Sequence, residues 1–270
     1  MSDQLLRLAR AVSAFCEQDA VAGHLRGMNQ RLLAVPVGLW IAFFVCALIF
    51  IGFPDIDLAV SGLFYMPGVG FTVRGDPLER LLYHSVEWLT LGGGLALIGT
   101  WGYSRFVGPV PWSLGGRELG LALLILALGP GLIVNGLLKE HWGRARPADI
   151  IQFGGDRAFS PAFVPTGQGG GSFSSGHVAA ASFWTSVALL AKRRRGLWLG
   201  AALGYALLIG LARIAAGGHF LSDVVTSFFI VLILTVILRN LLYRTAPSRI
   251  VPSRRGEVPS TGPGRAPIVV

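Results

Sequence analysis

Charged side chains and cysteines are both scarce in this 270-residue chain. Asp, Glu, Lys and Arg together make up 14% of the residues, whereas a soluble protein carries about 25%. The two cysteines lie apart, Cys16 in the N-terminal tail and Cys46 inside an apolar run, which does not fit a disulfide framework. What the chain has instead is apolar residues, at 53% of the total and a mean hydropathy of +0.61. This composition excludes a soluble domain and predicts an integral membrane protein.

Long apolar segments organise the chain. Several approach the roughly 20 residues that cross a bilayer as a helix. The first begins near Leu32, with no cleavable signal peptide ahead of it, and is long enough to act as an anchor. We predict an all-α fold, an integral membrane bundle of six transmembrane helices. The predicted helices cover about 32–53, 85–103, 119–138, 174–191, 197–216 and 219–242.

Basic residues predict the orientation of this bundle. Of the 23 Lys and Arg residues, 16 fall in the two termini and the even-numbered loops, and seven in the odd-numbered loops. The positive-inside rule therefore places both termini in the cytoplasm and the odd-numbered loops outside. The net charge of +9 is explained by arginines that flank apolar spans and attract anionic lipid, so nucleic acid is not an expected partner.

The chain divides into three predicted regions. Residues 1–31 form a cytoplasmic or interfacial N-terminal segment, 32–243 the six-helix transmembrane domain, and 244–270 a disordered basic tail rich in Pro, Ser, Gly and Arg. Within the first region, residues 4–16 place apolar side chains at roughly helical spacing. Such a segment fits a helix in the membrane interface or a helix packed on the protein itself.

Alternating helix directions bring four distant positions to one membrane face. Lys139 ends the third predicted helix and His177 lies near the start of the fourth. Arg213 lies near the end of the fifth helix, and His219 opens the sixth. We therefore expect these side chains to meet at the outer face.

His219 and Asp223 are four residues apart, so a helix places them on one face. A carboxylate in that position can accept the proton of one imidazole nitrogen and leave the other free to act as a base or nucleophile. Gly217 and Gly218 allow a sharp turn before the helix, whose N-terminus favours an anion. Arg213 fits either this site or simple snorkelling to the interface.

Two upstream stretches carry compatible chemistry. Lys139 and Arg146 are seven residues apart, two turns of a continued helix, which Pro147 must end or kink. Two such cations fit either this site or contact with lipid headgroups. In the second stretch, "SFSSGH", Ser175 and Gly176 precede a helix whose first amides can hold phosphate oxygens, and His177 can protonate a leaving group. The preceding glycine run, 167–171, is interpreted as a flexible linker.

Taken together, these three stretches resemble the signature of the type 2 phosphatidic acid phosphatase superfamily. Two positions depart from the family pattern: Ser174 replaces its usual proline and Ala212 its usual serine. Neither change removes an expected catalytic group. The matching elements are Lys139-x6-Arg146-Pro147, Ser175-Gly176-His177 and Arg213-x5-His219-x3-Asp223.

The resemblance implies a metal-independent lipid phosphatase that needs no cofactor. His219 would attack phosphorus and form a phosphohistidine, Asp223 would orient it, and His177 would protonate the leaving group. The remaining matched residues would hold the phosphoryl oxygens, namely Lys139, Arg146, Ser175, Gly176 and Arg213. Fixed cations suit this reaction, because phosphoryl transfer spreads charge over the non-bridging oxygens.

A site at the outer face suits a lipid whose phosphate lies at that depth. Because the chain looks like bacterial members that act on envelope lipids, we expect a multi-pass protein of the bacterial inner membrane with its active site facing the periplasm. Lipid A phosphate is the favoured substrate; undecaprenyl pyrophosphate, phosphatidylglycerophosphate and phosphatidate are alternatives. Phosphotransfer to an acceptor lipid, transport and a structural lipid-binding role are the rival functions. The sequence does not determine the oligomeric state.

Overall fold

The computed structural model describes residues 31–32, 35–109, 115–191 and 193–244, and helices make up most of them. The predicted interfacial helix over 4–16 and the predicted disordered tail lie outside the described residues. Apart from two three-residue 3₁₀ helices, Pro147–Asp149 and Ile151–Phe153, the described part of the chain contains seven helices, and six of them overlap the six predicted ranges. They are α1 (Val37–Gly52), α2 (Asp55–Gly62), α3 (Pro77–Phe106), α4 (Gly116–Lys139), α5 (Gly176–Leu190), α6 (Arg195–Ala215) and α7 (Leu221–Arg244).

Two short antiparallel ribbons accompany the helices. β1 (Arg31–Leu32) pairs with β2 (Val35–Pro36) immediately before α1. β3 (Tyr65–Met66) pairs with β4 (Gly70–Phe71) in the loop between α2 and α3. The second ribbon matters for function because Phe71 packs against the turn between α6 and α7.

A sharp bend follows the first predicted span, 32–53. α1 ends at Gly52, and α2 leaves it at 85° after a break at Pro54. Pro54 lacks a backbone N–H and so cannot continue the helical hydrogen bonding of α1. The bend carries Asp57 of α2 into the interior, where it is 1% exposed.

α3 begins eight residues earlier than predicted. Asp76 caps its N-terminus by accepting a hydrogen bond from the amide of Leu78 at 2.9 Å, and Pro77 occupies the first helical position. Both are standard signals for a helix start. The extra two turns place Glu79, Arg80 and Tyr83 on this helix beside the predicted site.

α4 changes its hydrogen-bonding pattern along its length. It is α-helical over Gly116–Leu126 and π-helical over Ala127–Lys139. Pro130, which has no N–H to donate, lies in the π-helical part, and the side-chain amide of Asn135 donates to its carbonyl at 2.7 Å. π-Helical turns in α-helices are frequently found at functional sites, and this one ends at Lys139.

α5 is the central helix of the bundle. It packs mainly against α6 and α7 and also against α3 and α4. Its small side chains, such as Ala179, Ala181 and Ser182, are buried and allow close helix approach. On its far side, the hydroxyls of Ser186 and Thr235 of α7 lie 2.6 Å apart.

Length and hydropathy identify four of the described helices as candidate membrane spans, namely α3, α4, α6 and α7, and the bent pair α1–α2 as a fifth. The protein is therefore a multi-pass membrane protein. Large apolar side chains such as Leu48 of α1 and Leu95 of α3 are exposed, as expected for a lipid-facing surface. α5 has only 15 residues, so six complete spans and the positions of the termini remain predictions.

Candidate active site

The turn between α6 and α7 places the predicted nucleophile. α6 ends in a Schellman motif: the amide of Gly217 donates to the Ile214 carbonyl at 2.9 Å, and the amide of Gly218 to the Arg213 carbonyl at 2.9 Å. Gly217 has φ +64°, and a Cβ there would lie 2.5 Å from the Phe71 ring. The sequence Gly217-Gly218 therefore permits both a left-handed residue and a close approach.

His219 lies in this turn, two residues before α7 begins, rather than at the first helical position predicted. Its side chain is buried, and Nδ1 lies 2.7 Å from the backbone carbonyl oxygen of Ser172. Because a carbonyl can only accept, Nδ1 carries the proton and Nε2 is left with a free lone pair. Burial, followed by the charge of Arg213, holds the pKa of His219 well below its usual range, so the ring is neutral at pH 7.

The predicted direct hydrogen bond between His219 and Asp223 is absent. The His219 Nδ1 atom lies 4.0 Å from Asp223 Oδ2, because the Ser172 carbonyl occupies the donor. Asp223 Oδ2 instead accepts from the Ser172 hydroxyl at 2.6 Å and from the Phe220 amide at 2.9 Å. Ser172 thus links the two side chains: its carbonyl binds the His219 imidazole, and its hydroxyl binds the Asp223 carboxylate.

A fully buried arginine occupies the other side of Asp223. Arg144 is 0% exposed, and its Nη1 donates to Asp223 Oδ1 at 2.6 Å. Its Nη2 donates to Asp57 Oδ2 at 2.8 Å, and its Nε to the Ser160 carbonyl at 2.9 Å. The two carboxylates raise the pKa of Arg144 despite the opposing effect of its burial. The charged trio carries a net charge of −1 next to His219.

The N-terminus of α7 is filled by these carboxylates. The amide of Ser222 donates to Asp57 Oδ1 at 2.9 Å, and the amide of Phe220 is taken by Asp223. Free amides at a helix start need acceptors, and here the protein supplies them. The anions at this helix end are therefore the protein's own carboxylates.

Two loop segments running side by side support Arg144. The amides of Gly170 and Ser172 donate to the carbonyls of Gly143 and Arg144, both at 3.0 Å. A Cβ at Gly170 would lie 2.2 Å from the Arg144 carbonyl oxygen. The glycine run is therefore packed at Gly170, which contradicts a flexible linker at this end, whereas a Cβ at Gly167 or Gly169 would meet no atom within 4 Å.

Lys139 and Arg146 flank the same loop. A Cβ at Gly171 would lie 3.5 Å from Lys139 Cε and 3.8 Å from an Arg146 guanidinium nitrogen. The Nε of Arg146 is buried without a hydrogen-bond partner in the described part of the chain, and so is the Nε of Arg213. Unpaired buried donors are unfavourable, and an anion bound between these arginines would satisfy them.

Ser175 and Gly176 begin α5. The Ser175 amide donates to the Ser227 hydroxyl at 2.8 Å, and its hydroxyl is the acceptor for the Val178 amide at 3.5 Å. Among the described residues the amides of Gly176 and His177 have no acceptor. These two amides are therefore available to a ligand at the start of α5.

His177 is connected to Arg213 through Tyr83 of α3. The His177 and Tyr83 ring centroids lie 4.1 Å apart, and the Arg213 guanidinium carbon lies 4.9 Å from the Tyr83 ring centroid. Arg213 Nη1 also donates to Glu79 Oε1 at 2.9 Å. Tyr83 and Glu79 were not predicted from the sequence; the Asp76-Pro77 start of α3 is the signal that would have placed them here.

A cavity of about 350 Å³ adjoins this cluster. Arg146, Arg213, Gly217 and Gly218 form part of its wall, whereas Lys139, His177 and His219 lie beside it rather than in its lining. Most of the other lining residues come from the loop before α3 and the start of that helix. They are Arg74, Gly75, Glu79, Arg80, Tyr83, His84 and Ala216.

The described residues contain no group of three or more His, Cys, Asp or Glu side chains placed to hold a metal ion. The buried carboxylates Asp57 and Asp223 are both taken up by Arg144.

Comparison with known proteins gives a consistent assignment. The family model of the PAP2 superfamily matches residues 119–246. A lipid A 4'-phosphatase from Francisella tularensis subsp. novicida (strain U112) is 33% identical over 215 residues, which is 77% of this chain and 95% of that protein. A lipid A 1-phosphatase from Rhizobium johnstonii is 32% identical over 136 residues, 48% of this chain and 52% of its own length.

The fold is also seen in a solved structure. It is the crystal structure of a transmembrane PAP2-type phosphatidylglycerolphosphate phosphatase from Bacillus subtilis, with a TM-score of 0.52 and 22% identity over 79% of this chain and 98% of that one. These matches show that this chain belongs to the PAP2 superfamily. The membrane helices and the buried cluster of histidine and arginine side chains agree with this assignment.

Proposed function

We propose that this protein is a membrane lipid phosphatase that hydrolyses lipid A phosphate at the periplasmic face through a phosphohistidine on His219. The observation that carries the proposal is the pair of buried, unpartnered Nε donors on Arg146 and Arg213, which lie beside a histidine whose Nε2 is unprotonated. The long match to a lipid A 4'-phosphatase supports the substrate.

In the first step His219 Nε2 attacks phosphorus and the bond between phosphorus and the lipid oxygen breaks. Lys139, Arg146 and Arg213, with the amides of Gly176 and His177, hold the non-bridging oxygens. His177 gives its proton to the departing lipid oxygen, which leaves as an alcohol. The charges of the three cations act on His177 and oppose its protonation. The bound phosphate dianion offsets these charges, so that His177 can hold the proton that it donates.

In the second step water attacks phosphorus and the bond between phosphorus and Nε2 breaks. His177 takes one proton from that water, so inorganic phosphate is released and both histidines return to their starting states. The overall change consumes one water and produces one alcohol and one phosphate. No metal ion takes part in these steps, so we expect turnover to persist in excess chelator.

Asp223 acts on His219 without touching it. The Ser172 carbonyl holds the Nδ1 proton, and the Ser172 hydroxyl is anchored on Asp223. Phosphorylation leaves the imidazole positively charged, and the net −1 charge of Asp57, Arg144 and Asp223 stabilises that state. Arg144 and Asp57 are therefore positioning residues for the nucleophile.

The experiment is phosphate release from a panel of purified lipids in detergent. The panel contains lipid A, undecaprenyl pyrophosphate, phosphatidylglycerophosphate and phosphatidate, with and without chelator. His219→Ala should abolish release, whereas His141→Ala, which changes an exposed histidine outside the cluster, should not. Acid-labile, base-stable label from a ³²P substrate should appear on the wild type only. Release by His219→Ala, or transfer of label to a second lipid instead of water, would contradict the proposal.

A further inference from the structure

We propose that Arg74 and Arg80 form a second anion subsite, so that the preferred substrate carries another anionic group within about one sugar or glycerol unit of the reacting phosphoryl group. This inference rests on the proposed function and adds the substrate class to it. The second group is defined by its charge: a carboxylate, a phosphodiester or another phosphate would satisfy the same arginines.

The first observation is the extent of the cavity. Its volume of about 350 Å³ is roughly ten times the ~30 Å³ that one water occupies in the liquid, so it is larger than a single phosphoryl group needs. Arg146 and Arg213 line one part of it, and Arg74 and Arg80 line another. The reacting phosphoryl group is already served by three cations, since Lys139 lies beside Arg146.

The second observation is uncompensated charge. Among the described residues that line the cavity, Glu79 is the only one with a carboxylate, and it is bound to Arg213 and to the Gly75 amide, at 2.9 Å and 3.3 Å. Within the described ranges, neither Arg74 nor Arg80 has a carboxylate oxygen within 4.0 Å. Four arginines thus face one acidic side chain that is already occupied.

The third observation is that Arg80 is oriented. Its Nε donates to the Gly75 carbonyl at 2.8 Å, which fixes the plane of the guanidinium group. Neither terminal nitrogen of Arg80 donates to a protein acceptor in the described part of the chain. Arg74 and Arg80 bracket the first turn of α3, so the same short segment supplies both cations and Glu79. A guanidinium held in this way is suited to a bidentate bond with an oxyanion.

Exposed arginines of a membrane protein also bind anionic headgroups of the surrounding bilayer. The two sources differ in one measurable respect. A substrate subsite discriminates between ligands that carry one and two neighbouring anionic groups when no bilayer is present, and a headgroup contact does not.

The test uses His219→Ala protein in lipid-free detergent, which prevents turnover of the probe. The affinities of this protein for inorganic phosphate and for inorganic pyrophosphate are measured by calorimetric titration in a buffer that contains a chelator. We expect pyrophosphate to bind about ten-fold more tightly, a difference of about 1.4 kcal/mol, because its second phosphate forms charge-assisted hydrogen bonds with Arg74 and Arg80. Adding Arg74→Gln and Arg80→Gln should reduce the preference to about two-fold or less and leave phosphate affinity unchanged. Arg105→Gln, at the opposite end of α3 and about 38 Å away, is the matched control.

Equal affinities in protein that retains both arginines, or a preference that survives their replacement, would overturn the subsite. A turnover measurement separates this failure from failure of the proposed function. In the active protein, Arg74→Gln with Arg80→Gln should lower kcat/KM for phosphatidylglycerophosphate about ten-fold relative to phosphatidate with the same acyl chains. If the active protein releases no phosphate from any lipid while the pyrophosphate preference still depends on these arginines, the phosphatase assignment fails and the subsite stands. An effect seen only in anionic vesicles would assign the arginines to the bilayer and overturn the proposal.

Discussion

His219 Nδ1 lies 2.7 Å from the carbonyl oxygen of Ser172 and 4.0 Å from Asp223 Oδ2. The tautomer of the proposed nucleophile is therefore set by a backbone group. Asp223 influences the nucleophile only indirectly, through its hydrogen bond with the Ser172 hydroxyl and through its charge. This arrangement separates the chemical role of His219 from the structural role of Asp223 and makes the two experimentally distinguishable.

Asp223→Asn should lower both activity and thermal stability. Both oxygens of Asp223 accept hydrogen bonds from buried donors, namely Arg144, the Ser172 hydroxyl and the Phe220 amide. An asparagine NH₂ would face at least one of these donors. His219→Ala should abolish turnover with a much smaller loss of stability. Melting temperatures of the purified variants in detergent test this, and equal melting temperatures for the two variants would contradict it.

Arg144→Met should destabilise the protein by about 3–5 kcal/mol, because removing one partner of a buried ion pair leaves the other charges uncompensated. Arg144→Lys keeps the charge but cannot reach Asp57, Asp223 and the Ser160 carbonyl together. We expect the lysine variant to fold and to accumulate less phosphohistidine in rapid-quench labelling with ³²P substrate. Normal labelling kinetics in a folded Arg144→Lys protein would show that Arg144 acts on stability alone.

Gly217→Ala should lower the melting temperature and the activity together. An alanine at φ +64° is strained, and its Cβ would overlap the Phe71 ring. Gly204→Ala in α6 is the control, since a Cβ there meets no atom within 4 Å and alanine favours the helix. An unchanged melting temperature for Gly217→Ala would show that the turn is less restrictive than its geometry indicates.

The lowered pKa of His219 makes a specific contribution to acid sensitivity. Below pH 6.5 the unfolded chain binds a proton at this position and the folded protein does not, so stability falls as the pH falls. Between pH 7.5 and 5.5 this site should account for a loss on the order of 1 kcal/mol. His219→Gln should remove that part of the pH dependence, as measured by melting temperature. A variant with the wild-type pH dependence would contradict the assignment of a buried neutral histidine.

The orientation of the protein in the membrane can be determined from the accessibility of introduced cysteines. In a background with Cys16 and Cys46 replaced by alanine, Gly167→Cys lies in the exposed loop on the site side. Arg193→Cys lies in the loop between α5 and α6, also exposed. In intact spheroplasts we expect a membrane-impermeant maleimide to label the first and not the second. The reverse pattern would place the site in the cytoplasm.

The sequence predicted the helices well because apolar length is a local property. Each predicted range contains a helix in the described structure, and most boundaries differ by two to five residues. The largest difference, eight residues at the start of α3, has a local cause, because the Asp76-Pro77 start signal lies ahead of the apolar run. The short helix α2, which follows the break at Pro54, lies in a segment predicted as loop.

Parts of the site were not predictable from local patterns. Arg144 was counted only as a loop cation, and Asp57 lies 87 residues from it in sequence. Glu79 lies 134 residues from Arg213. No spacing rule connects such pairs, because they meet only when α2 and α3 pack beside the turn before α7.

The sequence by itself determined that this chain crosses a membrane, that it forms helices, and which histidines and cations carry the family motif, because hydropathy and motif spacing are written along the chain. Tertiary structure alone decided which nitrogen of His219 is free, that Asp223 reaches it through Ser172, that Arg144 pairs with two buried carboxylates, and that Arg74 and Arg80 share a cavity with the site. These features depend on contacts between residues far apart in the chain, and their energies arise only once packing has removed water from around the charges.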